Sequence, residues 1–333
     1  MLKTYTQFIF EKENRDFSKK VNFILPGTTS ETLTGTNSIY RELNEKCLNE
    51  LYNTYHAKGD FVHDINVDIA MPSIYYGGSK PLALQLLKDQ NIPEDTMYNT
   101  PEQQALSNCK SGFYKMFKDL PWLPNVVFDK EDVVKLTFPI IAKPDTAHSG
   151  SGIEIFETPE DLKNSESNFK NYSEAKDLDT EFRIMILKDN IVSIHERVSK
   201  LDHAIKDKEK DDYVQFVYVE QDLSKLSFIK ELKPIIADIR EKIQLGVWSV
   251  DLMIDKSGEL WVAEINSASG MGVNKMVEFY IAVYEDFYNE KLPIEFKEDL
   301  ESRYTIPANV INYNLNHEWI KKSKGAIDHT PFK

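Results

Sequence analysis

VWSVDLMIDKSGELWVAEINSASGMG, residues 247–272, sets two apolar runs around the turn Asp255-Lys256-Ser257-Gly258 and predicts a β-hairpin. Each run carries an acid, Asp251 or Glu264, where a buried strand has no use for one. With Lys256 to Glu259 as a four-residue loop, Asp255 falls opposite Leu260 and Asp251 opposite Glu264. Asn266 then shares the face of Glu264, while Val250, Leu252, Ile254, Trp261, Ala263 and Ile265 make the other, apolar face. Like charges directly opposite repel, and a carboxylate in low dielectric neutralises unless a cation joins it. Two readings fit the hairpin alone: acids on an exposed face in water, or acids around a hard dication. An oxygen-only Asp/Glu/Asn set suits Mg2+ or Mn2+.

Composition narrows the classes. The 333 residues are enough for two or three packed units, and 41% apolar with 28% charged residues is ordinary for a soluble globular chain. No apolar run approaches the ~18 residues of a membrane span. MLKTYTQFIFEKENRDF lacks the apolar core and cleavage site of a secretory signal, and Cys47 and Cys109 are too few for a disulfide framework or a cysteine zinc site. A reducing cytosol is the expectation. A net charge of −14 argues against non-specific nucleic-acid or anionic-membrane partners. Basic residues that converge on one site are therefore conspicuous.

Outward from the hairpin, residues 21–25 and 65–71 read as short strands around a helical stretch at 38–55, with a further helix at 80–90, a βαβ-like start. Thr100-Pro101-Glu102 opens a helix that runs on through QQALSNCKSGFYKMFKDL. FPIIAKP (138–144) and GIEIF (152–156) are strand-like and enclose a Gly/Ser loop, and TPEDLK (158–163) opens another helix. FRIMIL (182–187) and IVSIHERV (191–198) form a second hairpin about Lys188-Asp189-Asn190. Residues 200–214 are charged. Leu226, Ile229, Leu232, Ile236, Ile239 and Ile243 restore helical periodicity around Pro234, and Val273, Met276, Val277, Tyr280, Tyr284 and Phe287 stripe a last helix. The final 40 residues carry no motif, and the chain shows no internal repeat.

The Gly/Ser loop adds chemistry. AKPDTAHSGSGIEIF puts Lys143 at the end of an apolar strand, before Ser149, Gly150, Ser151 and Gly152. Small residues let backbone N–H groups approach a polyphosphate, and a lysine neutralises it as a point charge. GxxxxGK[ST] and GxGxxG are both absent, and a flexible turn reads the same way. In chain order come Lys110, Lys143 with its loop, Glu174 and Glu181 across an inter-strand bend, Arg197 at the end of the second hairpin, then Asp251, Glu264 and Asn266. This series, over residues 105–272, resembles the ATP-grasp superfamily of carboxylate–amine and carboxylate–thiol ligases.

The resemblance implies an α/β and α+β chain with an ATP-grasp fold: an N-terminal βαβ-like domain (1–105), a small lobe with the Gly/Ser loop (106–190), and a C-terminal lobe with the metal site (191–333). Nucleotide is held between the two α+β lobes. Lys110 and Lys143 would contact the α- and β-phosphates of ATP, and Ser149, Gly150, Ser151 and Gly152 would cover them. The backbone at Glu174-Ala175-Lys176 would form the hinge against adenine, with Glu181 on the ribose. Asp251, Glu264 and Asn266 would hold two Mg2+ (or Mn2+) ions. Arg197, Lys143 and Ser151 make the catalytic set, with Arg197 aimed at the transferred phosphate. Plain alternatives stand beside these roles: a solvated Lys110, a Glu181–Arg183 surface pair, and an Arg197–Glu196 salt bridge of little worth.

Three departures from the family pattern stand out. Thr180 replaces the small turn residue before Glu181. Ser249 stands where amino-acid ligases of the D-alanine type carry an arginine. Residues 200–214 lack the Asn- and Gly-containing motif common there. No Ser-His-Asp set or activated cysteine is evident, and none is required: the resemblance implies an ADP-forming ligase that joins a carboxylate, through an acyl phosphate, to an amine. A small-molecule kinase or a non-catalytic ATP-binding regulator is the alternative. The expected partners are ATP, a small carboxylate and an amine of amino-acid or peptide type, with a homodimer left open. Residues 26–38, 73–80 and 267–275, with Lys80 and Lys275, are the candidate acceptor loops.

Overall fold

The computed structural model describes residues 21–25, 49–56, 69–70, 94–145, 152–166, 169–199, 216–220, 225–267 and 273–304. The chain divides into two compact units, Met1–Tyr98 with Gly270–Lys333, and Asn99–Ser269. In the first unit β1 (Val21–Leu25) is the middle strand of a parallel sheet, between β2 (Tyr52–His56) and β3 (Ile69–Ala70). Residues 52–55, expected to end a helix, belong to β2 instead; the Tyr- and Thr-rich YNTYH suits a pleated strand better than a helix end. The expected helix at 80–90 lies outside the described residues, as do the acceptor loops apart from Ser267 and the residues at 273–275.

The second unit holds two sheets. Thr100 caps the first helix, α1 (Pro101–Asn108), through a capping box with Gln103 and a proline in the first turn. One continuous helix was expected here, but it breaks at Cys109, which is extended, and restarts as α2 (Lys110–Phe117). Asp145 captures the new helix start: its carboxylate accepts from the Ser111 N–H at 2.8 Å and its carbonyl from the Lys110 N–H at 3.4 Å. That tie fixes α2 to the end of the strand carrying Lys143.

The smaller sheet orders β4 (Val126–Val127), β7 (Asn171–Glu174), β5 (Ile140–Lys143) and β6 (Glu154–Phe156), with the short α3 (Pro159–Asn164) following β6. One face buries Ile140, Ala142 and Tyr172 with Phe156 and Leu162. The larger sheet is antiparallel in the order β10 (Phe216–Glu220), β9 (Asn190–Ser199), β8 (Leu178–Leu187), β11 (Val247–Asp255), β12 (Leu260–Asn266). The apolar stripe of α4 (Ile229–Ile243), interrupted by Pro234 but still helical, packs Leu232, Ile236 and Ile239 with Ile184, Val250, Leu252 and Val262.

The opening hairpin forms with Asp251 opposite Glu264, by a route the pairing arithmetic missed. The turn is one residue longer than expected, so Ile254 rather than Asp255 pairs with Leu260. The Asp255 carboxylate orders it, accepting from the Ser257 and Glu259 N–H groups at 2.9 and 3.0 Å. A β-bulge at Ala263 then restores the register. Backbone groups at the bulge find partners on the neighbouring helix and loop: the Tyr114 hydroxyl donates to the Ala263 carbonyl at 2.7 Å, and the N–H of the preceding Val262 to Trp122 O at 2.9 Å. The bulge also corrects the two faces. Val262 joins Val250, Leu252 and Ile265 in the core, while Trp261 moves to the acidic face, its indole N–H on Asp255 at 2.8 Å.

Candidate active site

Register alone assembles the acidic face of the larger sheet. His195, Arg183, Asp251 and Glu264 stand opposite one another across β9, β8, β11 and β12. One step along, Ser193, Met185, Ser249 and Asn266 form the next row; on the other side lie Glu181, Met253 and Trp261. Cross-strand neighbours on one face touch, so these rows are contact lists as well as addresses.

The acids are matched by cations. Arg183 grips Asp251 with a two-pronged bond, Nε to Oδ1 and Nη2 to Oδ2, both 2.7 Å, with side chains only 14% and 7% exposed. Lys110, the first residue of α2, reaches Glu264 at 3.4 Å, and the Asn266 amide donates to the other Glu264 oxygen at 3.2 Å. Lys143, the last residue of β5, donates to the Tyr114 hydroxyl at 3.2 Å. Tyr114 thus bridges the lysine of the small sheet to the bulge of the large one. A cleft opens among these groups, lined by Ser107, Lys110, Phe113, Tyr114 and residues 263–266.

The electrostatics follow from that convergence. Burial pushes the Glu264 carboxyl up, but Lys110 and Lys143, the Asn266 amide and Arg183 outweigh it and hold it down to about 2. Burial favours a neutral amine at Lys143, yet Tyr114, Glu264 and Glu181 raise its pKa above the usual lysine value. Both groups are charged at neutral pH. Carboxylate and amide oxygens are the type that suits a hard cation, but here both Asp251 oxygens accept from Arg183, and the two Glu264 oxygens face Lys110 and the Asn266 amide. Among the described residues no group of three or more His, Cys, Asp or Glu side chains is placed to hold a metal ion.

The remaining expected residues are placed as follows. Glu174 ends β7, and its carboxylate turns away to the Thr137 N–H at 3.1 Å and Lys176 at 3.5 Å. Ala175 and Lys176 link the two sheets; the Ala175 N–H donates to Pro139 O at 2.9 Å, and the Lys176 ammonium lies 3.8 Å over the Trp261 ring. The Asp177 carbonyl accepts from the Lys256 N–H at 2.9 Å, pinning this link to the hairpin turn. Gly152 has φ +70, the left-handed region that favours glycine. Ser149, Gly150 and Ser151 lie outside the described residues, and Arg197 pairs with Tyr218 through the β9–β10 ladder. Sequence reasoning missed Arg183 and Tyr114 as site residues. Tyr114, four residues after Lys110 and so on the same helix face, carried a usable signal.

No family model matches the chain. The D-alanine–D-alanine ligase of Buchnera aphidicola subsp. Schizaphis graminum (strain Sg) is 24% identical over 293 residues, 78% of this chain and 92% of that protein. Among solved structures, the D-alanine–D-alanine ligase from Bacillus anthracis aligns with a TM-score of 0.55 at 14% identity, covering 85% of this chain and 99% of that one. The ATP-grasp ligase PsnB complexed with a minimal precursor aligns at 0.53 and 12% identity, over 86% and 100%. The macrocyclase MdnC from Microcystis aeruginosa MRC, bound with the precursor peptide MdnA, aligns at 0.51 and 13% identity, over 81% and 100%. Two sheets within one unit, a lysine at the end of one and facing acids on the other agree with that likeness: the chain has the ATP-grasp fold.

Proposed function

We propose that this chain is an ATP-dependent ligase that activates a carboxylate as an acyl phosphate and joins it to an amine, releasing ADP and phosphate. The observation that carries the reading is the meeting of Lys110, Lys143 and Arg183 with Asp251, Glu264 and Asn266 in one place, drawn from both sheets and the helix between them. Phosphoryl transfer asks for positioning and charge neutralisation more than for covalent chemistry, and these groups supply both. The similarity to D-alanine–D-alanine ligase, to PsnB complexed with a minimal precursor and to MdnC bound with a precursor peptide supports a carboxylate of amino-acid or peptide kind.

In this mechanism a carboxylate oxygen of the substrate attacks the γ-phosphorus, and ADP leaves with the electron pair of the broken P–O bond. The amine then attacks the acyl carbon, and inorganic phosphate departs as the C–O bond breaks. Lys143 and Lys110 neutralise the nucleotide phosphates, Lys110 exchanging Glu264 for a phosphate oxygen. Glu264, Asn266 and Asp251 would hold Mg2+, which when bound draws phosphate charge together and orients it. Arg197 and Ser151 serve the transferred phosphate, Glu181 the ribose, and residues 174–176 with the Gly/Ser loop enclose the rest of the nucleotide. Residues 1–105 form the substrate side, and the enzyme works in the cytosol.

The test is a screen of amino acids, small acids and acidic peptides with ATP, Mg2+ and hydroxylamine. The active acid should yield ADP and a hydroxamate, and ¹⁸O from its carboxylate should appear in phosphate. Release of AMP and pyrophosphate, or a stable phosphorylated product, would overturn the reading in favour of adenylation or a kinase.

A further inference from the structure

Beside Lys143 lies a buried amide with no hydrogen-bond partner among the described residues. Asn171 opens β7 directly opposite Lys143 in register, so the two side chains share a face of the small sheet. That face is not the one that forms the apolar core, which belongs to Ile140, Ala142 and Tyr172 on alternate positions. Asn171 is 0% exposed, and neither its Nδ2 nor its Oδ1 has a hydrogen-bond partner among the described residues. Asparagine is a poor strand former, and a buried amide left unpaired costs stability that Val or Leu would not. Groups of this kind in a folded chain point to an absent partner.

We infer that Asn171 is a nucleotide-binding residue whose amide donates to the α-phosphate, its carbonyl oxygen accepting from the Lys143 ammonium. The inference rests on the ATP reading above and deepens it. Three observations fit this ligand. A phosphate offers only acceptors, so it satisfies Nδ2 and leaves Oδ1 needing a donor; the adjacent ammonium has three donors and uses one on Tyr114. Glu174, the start of the link between the sheets, is level with Ile140, while Asn171 is level with Lys143. Three residues of strand separate the two levels, roughly 10 Å, comparable to the reach from the amino edge of adenine to its α-phosphate. Finally, the amide is uncharged, so it adds a donor without adding to the positive charge already carried by Lys143. The covering of this face must part when nucleotide enters.

Calorimetry on the full chain with Mg2+ tests this, using adenosine, ATP and the two α-thio diastereomers of ATP. Asn171→Leu should bind ATP about tenfold or more weakly, the worth of a hydrogen bond to a charged oxygen. Its affinity for adenosine should not change. Asn171→Asp, which sets a carboxylate against phosphate, should bind ATP more weakly than the leucine variant. Wild type should prefer one α-thio diastereomer, and Asn171→Leu should lose that preference. The leucine variant should also melt higher than wild type without nucleotide yet gain less from ATP. Unchanged ATP affinity and unchanged diastereomer preference in both variants, or equal losses for adenosine and ATP, would overturn the inference. Wild type that binds no ATP at all would instead defeat the ligase reading on which it stands.

Discussion

Arg183 and Asp251 allow stability and chemistry to be separated in one experiment. Arg183→Met removes both bonds of the fork and leaves the Asp251 carboxylate in the middle of a five-stranded sheet, 7% exposed. Solvent screening that makes surface pairs nearly worthless is absent at such exposure. Breaking a buried pair by removing one partner costs ~3–5 kcal/mol, because the surviving charge stays desolvated. Replacing both partners with apolar side chains removes that penalty, so Arg183→Met with Asp251→Leu should return to within ~1 kcal/mol of wild type. Urea unfolding of the nucleotide-free chain measures both. The double variant should be folded yet inactive in the ligase assay, since Asp251 is lost to the phosphate site. As a control, Lys256→Met, which breaks an exposed pair with Asp177, should have no measurable effect. A single variant within ~1 kcal/mol of wild type, or a double variant as unstable as the sum of the singles, would refute the argument.

Two further outcomes follow from the same structure. Val262→Ala should cost ~2 kcal/mol in urea unfolding and Trp261→Leu ~1 kcal/mol or less, because the bulge puts Val262 in the core and Trp261 on the site face; the reverse ranking would mean a regular hairpin. Burial pushes the Glu285 carboxyl up, but Lys291, Lys297 and the Leu292 N–H together bring its pKa below the ordinary 4.5. Its contribution is therefore complete above about pH 4.5 and lost as pH falls through the lower folded value, so Glu285→Gln should flatten the acid limb of thermal stability, and an unchanged limb would contradict this.

What could be read from sequence was whatever depends on spacing along the chain. Lys143 before its Gly/Ser loop, and Glu264 with Asn266 two apart on one strand, are local patterns, and the structure brings them to one place with Lys110. Arg183 was invisible for the opposite reason. Its partner lies 68 residues away, and only the β8–β11 register makes them neighbours. Asn171 was hidden differently. Nothing in NYSE marks a polar residue as buried; the pairing with Lys143 does. The break at Cys109 escaped because the residue responsible, Asp145, lies on another element altogether.

The hairpin shows why a wrong turn length still gave the right pair. A turn one residue longer shifts the pairing register by one and, uncorrected, would send Glu264 to the core face and Ala263 to the site. Burying that carboxylate among Val250, Leu252 and the α4 stripe would cost far more than one irregular residue, so the ladder takes up the slack at Ala263. The bulge is cheap because its loose backbone groups have partners waiting at Tyr114 and Trp122. Tyr114 therefore has two duties: it secures the bulge that turns Glu264 toward the cleft, and it receives the ammonium of Lys143. The feature that spoils the simple alternation of the hairpin is the one that brings acid and lysine together, which is why the polar and apolar faces of residues 247–266 could be counted correctly at Asp251 and Glu264 and incorrectly at Trp261.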